Sequence, residues 1–235
     1  VKHTGGTSGP ARVAEGAVKP QSDIKFDIDT MPTRTIAHWM KASRQILDDL
    51  PQLKSFIDTE LLAGLALAEE TQILSGDGTG QNLEGLIPQA TAYSAPIVLA
   101  DDNGELDQLG LAMLQGALAL FPPTGIIMND ADWTRIALLK DANGNYILGS
   151  PAALTTKRLW GLPVVTTPAM TVDKFLIGDF RTAATLYDRW TARVEVGSVD
   201  DDFIRNLVTV LAEERVALAV KQPAALIYGD FGNVA

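Results

Sequence analysis

Residues 51–74, PQLKSFIDTELLAGLALAEETQIL, form the longest regular pattern in the sequence. Apolar side chains recur in this stretch at spacings of three and four residues, which is typical of one face of an α-helix. Asp49 can cap the first turn, Pro51 is tolerated at the first helical position, and Gly76 is a typical stop. At 1.5 Å per residue the helix is about 36 Å long, so it can act as the spine of a domain.

Strand patterns precede the helix. IKFDID at Ile24–Asp29 alternates strictly between apolar and charged residues, which predicts a half-buried strand. A second segment, Arg34–Trp39, is a strand candidate that could pair with the first across the turn at 31–33. Residues 1–23 contain glycine and proline without a stable period, so we interpret them as a flexible or projecting segment.

The rest of the chain alternates between helix and strand signals. A second helix is expected at Glu105–Leu120, and a short helix through Leu138 follows Asn129, which we expect to be its N-cap. The strand candidates are Gly125–Met128, Trp160–Val165, Phe175–Ile177 and Arg193–Val196. The last long segment, Phe203–Val220, fits both helix and strand spacing, so periodicity leaves its structure open.

Composition excludes several classes of function. The chain has 235 residues, of which 46% are hydrophobic, so it can bury one large core or two modest ones. Its 19 basic and 29 acidic side chains give a net charge of −10, which argues against nonspecific binding to nucleic acid or anionic membranes. The absence of cysteine, with only His3 and His38 as imidazoles, leaves almost no material for metal sites. No apolar run approaches the roughly 20 residues of a membrane span, so we expect a soluble, intracellular protein without cofactors.

Several short motifs resemble functional sites but lack the necessary context. GDGTG at Gly76–Gly80 follows a helix and lacks the Gly-Lys-Ser/Thr ending of a phosphate loop, so it is interpreted as a helix exit. DANGN at Asp141–Asn145 is followed by Tyr146, where a calcium loop needs glycine, so we interpret it as a turn. His38 lies in an apolar stretch without a nucleophile elbow in the sequence, which favours a satisfied core or edge histidine.

Paired acids are a further candidate site, because two carboxylates are the machinery of a glycoside hydrolase. The adjacent pairs are Asp48/Asp49, Glu69/Glu70 and Glu213/Glu214. Neighbours in one element point apart, so no pair forms an acid/base dyad, and we interpret these residues as solvated or capping charges. The four tryptophans are scattered along the chain and are interpreted as structural anchors.

Longer stretches carry a resemblance to a known family. They are VAEGAVKPQSDIKF (13–26), TIAHWMKASRQILDD (35–49), LSGDGTGQNLEGL (74–86), IALLKDANGNYILGSP (136–151), LWGLPVV (159–165), LYDRW (186–190), RVEV (193–196) and FIRNLVTVLAEERVALAV (203–220). In this order they resemble the major capsid proteins of tailed bacteriophages of the Hong Kong 97 type, over about Ala11 to Phe231. Long collinear matches are far more specific than any single glycine motif.

The resemblance implies a mixed α/β (α+β) fold of the Hong Kong 97 capsid type. It assigns residues 1–33 to a remnant of an extended loop, 34–87 to a peripheral domain with the spine helix at 51–74, 88–191 to an axial domain, and 192–235 to the second part of the peripheral domain and a return to the axial domain. It also implies that Phe203–Val220 is a long strand of the peripheral sheet. The implied function is structural, as a major capsid (head) subunit that self-assembles into an icosahedral phage or prophage shell around double-stranded DNA.

The resemblance also sets expectations for partners and location. The full-length subunit is expected to form pentamers and hexamers with itself, to lie near packaged DNA with only weak nonspecific contact, and to avoid membranes. It is expected in the virion capsid after synthesis in the bacterial host cytoplasm. The sequence lacks an initiating methionine and the outgoing strand of the loop, so we expect an N-terminally truncated chain whose loop strand has no hairpin partner. Such a chain is expected to be monomeric or a small oligomer. The alternative functions are an encapsulin-like compartment shell and a carboxylate-dependent hydrolase.

One subgroup of the family joins its subunits by an isopeptide bond between a lysine of the extended loop and an asparagine of a neighbour, promoted by a glutamate. The matching residues here are Lys19, Asn206 and Glu213. Burial of Lys19 at an interface would favour its nucleophilic neutral amine, and Glu213 in an apolar setting could take the amine proton. If the segment is a strand, Asn206 and Glu213 lie on opposite faces and roughly 23 Å apart; if it is a helix, they share a face but lie about 10 Å apart along the axis. Any joint action therefore occurs between subunits. The plain alternatives are a surface lysine beside a turn proline, a strand asparagine and a glutamate in a charged triplet with Glu214 and Arg215.

Overall fold

The computed structural model describes residues 2–7, 10–27, 30–45, 51–99, 104–149 and 156–232. The strands are β1 (Lys2–Thr7), β2 (Asp23–Asp27), β3 (Arg34–Ser43), β4 (Thr91–Ala92), β5 (Gly125–Met128), β6 (Arg158–Leu159), β7 (Leu162–Thr166), β8 (Lys174–Gly178), β9 (Ala184–Gly197), β10 (Leu207–Val220) and β11 (Leu226–Asp230). The helices are α1 (Pro51–Ser75), α2 (Leu86–Gln89), α3 (Glu105–Leu118), α4 (Asp130–Ala137) and α5 (Phe180–Ala183). Within these residues the strands form a two-stranded, a three-stranded and a six-stranded sheet.

The three-stranded sheet has the order β3–β10–β9 and is antiparallel throughout. The long helix α1 packs on one of its faces. The shared core joins Ile57, Leu61 and Leu65 of the helix to Val210 and Ala212 of β10. The apolar stripe that predicts the helix is therefore the stripe that meets the sheet.

The six-stranded sheet has the order β4–β11–β8–β5–β7–β6 and contains both parallel and antiparallel pairs. Its central strand β8 is buried on both faces. Phe175 and Ile177 belong to a core with Leu109 of α3 and Ile136 of α4. Leu176, between them, belongs to a second core on the other face. A strand covered on both faces is apolar at consecutive positions, as β8 is.

The main helix predictions are confirmed. α1 and α3 begin at the predicted residues and end within two residues of the predicted ends. Asn129 is the N-cap of α4, because its side-chain oxygen accepts a hydrogen bond of 2.9 Å from the Ala131 amide. The predicted cap of α1, Asp49, lies outside the described residues.

The predicted pairing of the first strands is wrong. β3 pairs with β10, far along the chain, rather than with β2. β2 instead pairs antiparallel with β1, from Lys2 opposite Asp27 to Thr7 opposite Asp23, so the loop strand does have a hairpin partner. Residues 2–7, KHTGGT, contain two glycines and no alternation, so the sequence carries no strand signal there.

The segment that periodicity leaves open is a strand from Leu207 to Val220, as the family resemblance implies. β9 continues from Ala184 to Gly197 in the same sheet, so the expected domain boundary at residue 191 falls inside one strand. A core that includes Leu74 of α1, Leu218 of β10 and Leu226 of β11 joins the two larger sheets.

Candidate functional site

The face of the three-stranded sheet that points away from α1, here called the outer face, carries exposed side chains. Trp39 of β3 is 60% exposed and pairs across the sheet with Leu211 of β10, which pairs in turn with Glu195 of β9. These residues and Lys41 line a depression of about 420 Å³. An uncovered apolar surface with charged residues at its edge is typical of a protein–protein interface.

Glu213 also lies on the outer face, two residues after Leu211 along β10. Its carboxylate accepts a hydrogen bond of 3.1 Å from Arg193 Nε and a second from Arg193 Nη2. Arg193 also reaches Glu195 at 3.3 Å and lies 4.8 Å from the centre of the Trp190 ring. In the single chain, therefore, Glu213 is held in an ion pair rather than in the apolar setting that we expected.

Asn206 is exposed and directly precedes β10, in a left-handed backbone conformation with φ of 53°. Its backbone carbonyl accepts a hydrogen bond of 2.9 Å from the Arg44 amide. Since β10 is extended, the seven residues from Asn206 to Glu213 span roughly 23 Å.

The loop before Asn206 is fixed by Asp202, a residue that was not among the predicted sites. Asp202 is 1% exposed and accepts hydrogen bonds of 2.7 Å from Lys41 and 2.6 Å from Thr209. The Lys41 ammonium and the Thr209 hydroxyl lower the pKa of the Asp202 carboxyl to about 2. Asp202 follows two other aspartates, so the sequence gives no signal that this member of the run is buried.

Lys19 lies in the exposed segment between β1 and β2. Among the described residues, no hydrogen bond or salt bridge joins any two of Lys19, Asn206 and Glu213. The structure thus places the three predicted crosslinking residues on separate parts of the chain.

The rejected loop motifs are turns, as predicted. In GDGTG the Asp77 carboxylate accepts bonds from the Thr79 amide and hydroxyl and from the Asn82 amide group, and these bonds lower its pKa to about 2, with Asn82 contributing most. The Thr79 amide is therefore already bonded to a carboxylate rather than free for a phosphate. In DANGN the Asp141 carboxylate accepts bonds of 2.9 and 2.8 Å from the amides of Asn143 and Asn145.

The interpretation of His38 as a satisfied histidine is confirmed, because its Nε2 atom lies 2.7 Å from the Leu61 carbonyl. The interpretation of the tryptophans as anchors holds for Trp133, which is 8% exposed, and is wrong for Trp39, Trp160 and Trp190, whose exposures are 60, 57 and 41%.

In the part of the chain that the structure describes, no group of three or more acidic or histidine side chains is placed to hold a metal ion. No described helix has the length and apolar character of a membrane span.

The acidic pair in β10 behaves only partly as predicted. Glu213 and Glu214 point to opposite faces, so they form no dyad, as expected for neighbours in a strand. The interpretation of both as solvated or capping charges is wrong for Glu214, which is 5% exposed and faces α1.

The long helix across a three-stranded sheet, with a second mixed sheet and an N-terminal hairpin, defines a capsid fold of the HK97 type. Solved structures share it: the capsid of a native GTA particle computed with C5 symmetry matches with a TM-score of 0.73 at 24% identity, over 98% of this chain and 83% of that one. A Mycobacterium phage Bobi structure matches with a TM-score of 0.76 at 16% identity, over 98% and 83% of the two chains.

Sequence comparison identifies the family. The sequence profile of the phage capsid family matches residues 1–231, and the chain belongs to that family. The major capsid protein of Enterobacteria phage HK97 is 48% identical over 222 residues, which are 94% of this chain. The chain spans 57% of the length of that relative.

Proposed function

We propose that this chain is a major capsid, or head, subunit that assembles with copies of itself into the icosahedral shell of a tailed phage or prophage, around double-stranded DNA. The observation that carries the proposal is the 48% identity to the HK97 major capsid protein, maintained over 94% of this chain. The capsid fold of the solved neighbours supports the same role. On this proposal the protein is made in the bacterial host cytoplasm and resides in the virion capsid.

The relatives favour this function over the alternatives. Two of them are named as the major capsid protein of a phage and the capsid of a GTA particle, which supports a phage-type shell over an encapsulin-like compartment. A hydrolase requires convergent carboxylates, and Glu213 and Glu214 point to opposite faces of the sheet. A net charge of −10 disfavours tight contact with packaged DNA, so the subunit would enclose the DNA without binding it tightly.

Each part of the fold can be assigned to one region of a capsid subunit. The hairpin of β1 and β2 would be the extended loop, α1 with the three-stranded sheet the peripheral domain, and the six-stranded sheet with α3 and α4 the axial domain. Exposed Trp39 and the depression beside it make the outer face a candidate contact with a neighbouring subunit. Pentamers and hexamers are the assemblies that such contacts would build, in line with the fivefold symmetry named for one structural neighbour.

Expression of the complete reading frame that encodes these residues tests the shell role. We expect closed particles by electron microscopy, with wall density that fits this fold. Trp39→Asp should abolish the particles while leaving the circular dichroism spectrum and melting temperature unchanged, and Trp39→Phe should retain them. Monomers at every concentration, or particles whose walls do not accommodate the fold, would contradict the proposal. For the 235-residue chain alone, we propose monomers or small oligomers, which sedimentation velocity would detect.

We also propose that Lys19 and Asn206 of different subunits form an isopeptide bond. The neutral Lys19 amine attacks the Asn206 carboxamide carbon, a new C–N bond replaces the bond to the amide nitrogen, and ammonia leaves. Glu213 takes a proton from the attacking amine and returns it to the leaving nitrogen. Both reacting side chains are exposed, and the span of roughly 23 Å between Asn206 and Glu213 supports a reaction between chains.

Denaturing mass spectrometry of assembled particles tests the bond. We expect linked chains that are lighter by one ammonia per bond, and we expect Lys19→Arg or Asn206→Ala to abolish them while particles still form. Lys25→Arg is the matched control and should crosslink normally. Complete assembly with only monomer-mass chains would exclude crosslinking and leave the shell role intact.

A further inference from the structure

A buried carboxyl group lies between α1 and the three-stranded sheet. Glu214 is 5% exposed, and among the described residues its Oε1 atom has no hydrogen-bond partner. A carboxylate removed from water in this way is strongly unfavourable unless it is paired with a cation or protonated.

The nearest charged groups make the ionised state less favourable still. The negative charges of Glu69 in α1 and Asp188 in β9 repel a negative charge on Glu214. The residues on either side of Glu214 in β10, Glu213 and Arg215, point to the opposite face of the sheet. The arginine next to Glu214 in sequence is therefore directed away from it.

The third neighbouring element, β3, supplies no ion pair to Glu214. The cross-strand partner there is the apolar Ile36. The next positions on the same face are Arg34, which donates a hydrogen bond of 3.1 Å to Gln81, and His38, which lies 2.7 Å from a helix carbonyl. Within the described ranges, no basic side chain forms a salt bridge with Glu214.

The sheet is irregular at the same level. Opposite residues 213–216 of β10, strand β9 twice contains one residue more than β10 does. The first extra residue lies between Arg193 and Trp190, and the second lies between Trp190 and Asp188. Two such bulges bend and twist a strand locally. The carboxyl groups of Glu214, Glu69 and Asp188 thus lie where the sheet departs from regular pairing and where α1 crosses it.

We propose that the Glu214 carboxyl is a proton-binding site whose protonation holds α1 on the three-stranded sheet, and whose ionisation loosens this contact and frees the bulged segment of β9. Burial, and then the charges of Glu69 and Asp188, raise the pKa of Glu214 from 4.5 to about 7. A raised folded-state pKa means that the stabilisation is complete below the unfolded pKa and is lost as pH rises through about 7. The proposal concerns one chain and does not depend on the shell role.

Equilibrium denaturation of the 235-residue chain and of Glu214→Gln between pH 4 and pH 8.5 tests the proposal, because glutamine keeps the shape and cannot ionise. We expect the unfolding constant of the wild type, divided by that of the variant, to rise roughly 200-fold across this range. Glu60→Gln, at an exposed position of α1, is the matched control and should give a flat ratio. A flat ratio for Glu214→Gln would overturn the proposal.

A second measurement applies even if Glu214→Gln does not fold. Infrared difference spectra of the wild type between pH 6 and pH 8 should show loss of a protonated carboxyl band, and Glu69→Gln should move this loss to lower pH. Over the same interval, amide exchange in α1 and in the bulged part of β9 should accelerate beyond the intrinsic effect of pH. The absence of a protonated carboxyl at pH 6, or an unchanged exchange pattern, would refute the proposal.

Discussion

Arg135 is the centre of the largest buried charge cluster that the structure describes. Its guanidinium forms ion pairs of 2.6 Å with Glu105, 2.9 Å with Asp132 and 3.0 Å with Asp173. The three carboxylates are 11, 0 and 3% exposed, so the positive charge of Arg135 offsets part of the cost of burying them. Asp132 also accepts a hydrogen bond of 2.8 Å from the Asp173 amide. The cluster joins α3 and α4 to the segment that precedes β8.

Replacing Arg135 by methionine keeps the aliphatic stem but leaves buried carboxylates with their main cation removed. Removal of one partner from a buried pair costs about 3–5 kcal/mol. For a chain of this size, 4 kcal/mol lowers the melting temperature by roughly 8–16 °C. Burial already raises the pKa values of Glu105 and Asp132, and loss of the arginine raises them further. Because such carboxyls are stabilised by protonation, the deficit should shrink as pH falls from 8 to 5.

Chemical denaturation of Arg135→Met at pH 8 and pH 5 measures this cost. The matched control is Arg205→Met, which breaks an exposed pair of 3.1 Å with Asp201 and should cost less than about 0.5 kcal/mol. A loss below about 1 kcal/mol at pH 8, or a deficit that grows on acidification, would show that Arg135 does not stabilise the three carboxylates.

Three further substitutions test local features by denaturation and hydrogen exchange. Asn129→Ala should destabilise the chain by about 1–2 kcal/mol, because Asn129 caps α4 and also donates a bond of 2.6 Å to the Met170 carbonyl. Gly229→Ala should cost about 1–3 kcal/mol, since a Cβ there would overlap the buried ring of Phe175. Asp202→Asn should remove a stabilisation that the wild type retains at neutral pH and loses as pH falls toward 2. It should also speed amide exchange in the loop before β10. The same dependence of stability on pH in both proteins would contradict this.

The predictable part of the fold is the part in which local periodicity coincides with burial. α1 has one apolar stripe against one sheet face, so its period is clear. β10 is different: Val216, Ala217 and Leu218 are all buried, because this end of the strand is covered on both faces. A strand buried on both sides loses its alternation, and periodicity alone then cannot separate it from a helix. The pairing of β3 with β10 joins segments more than 160 residues apart, which no local pattern encodes.

The same limits apply to the candidate site. Lys19, Asn206 and Glu213 come from the family resemblance, whereas Arg193 and Asp202 emerge only when the register brings distant side chains together. Glu213 and Glu214 are identical in type and adjacent in sequence. Only the register of β10 decides which faces the helix and which faces outward.

The exposed outer face follows from the architecture of the three-stranded sheet. α1 covers one face, and along β3 the side chains alternate between partly buried and exposed positions over most of the strand. The second face of the sheet, with Trp39 exposed on it, has room for a further layer that would bury this apolar residue. In the proposed shell a neighbouring subunit supplies this layer. On this proposal Trp39 loses its contact with water only on assembly, so Trp39→Asp should affect particle formation and leave the isolated fold intact.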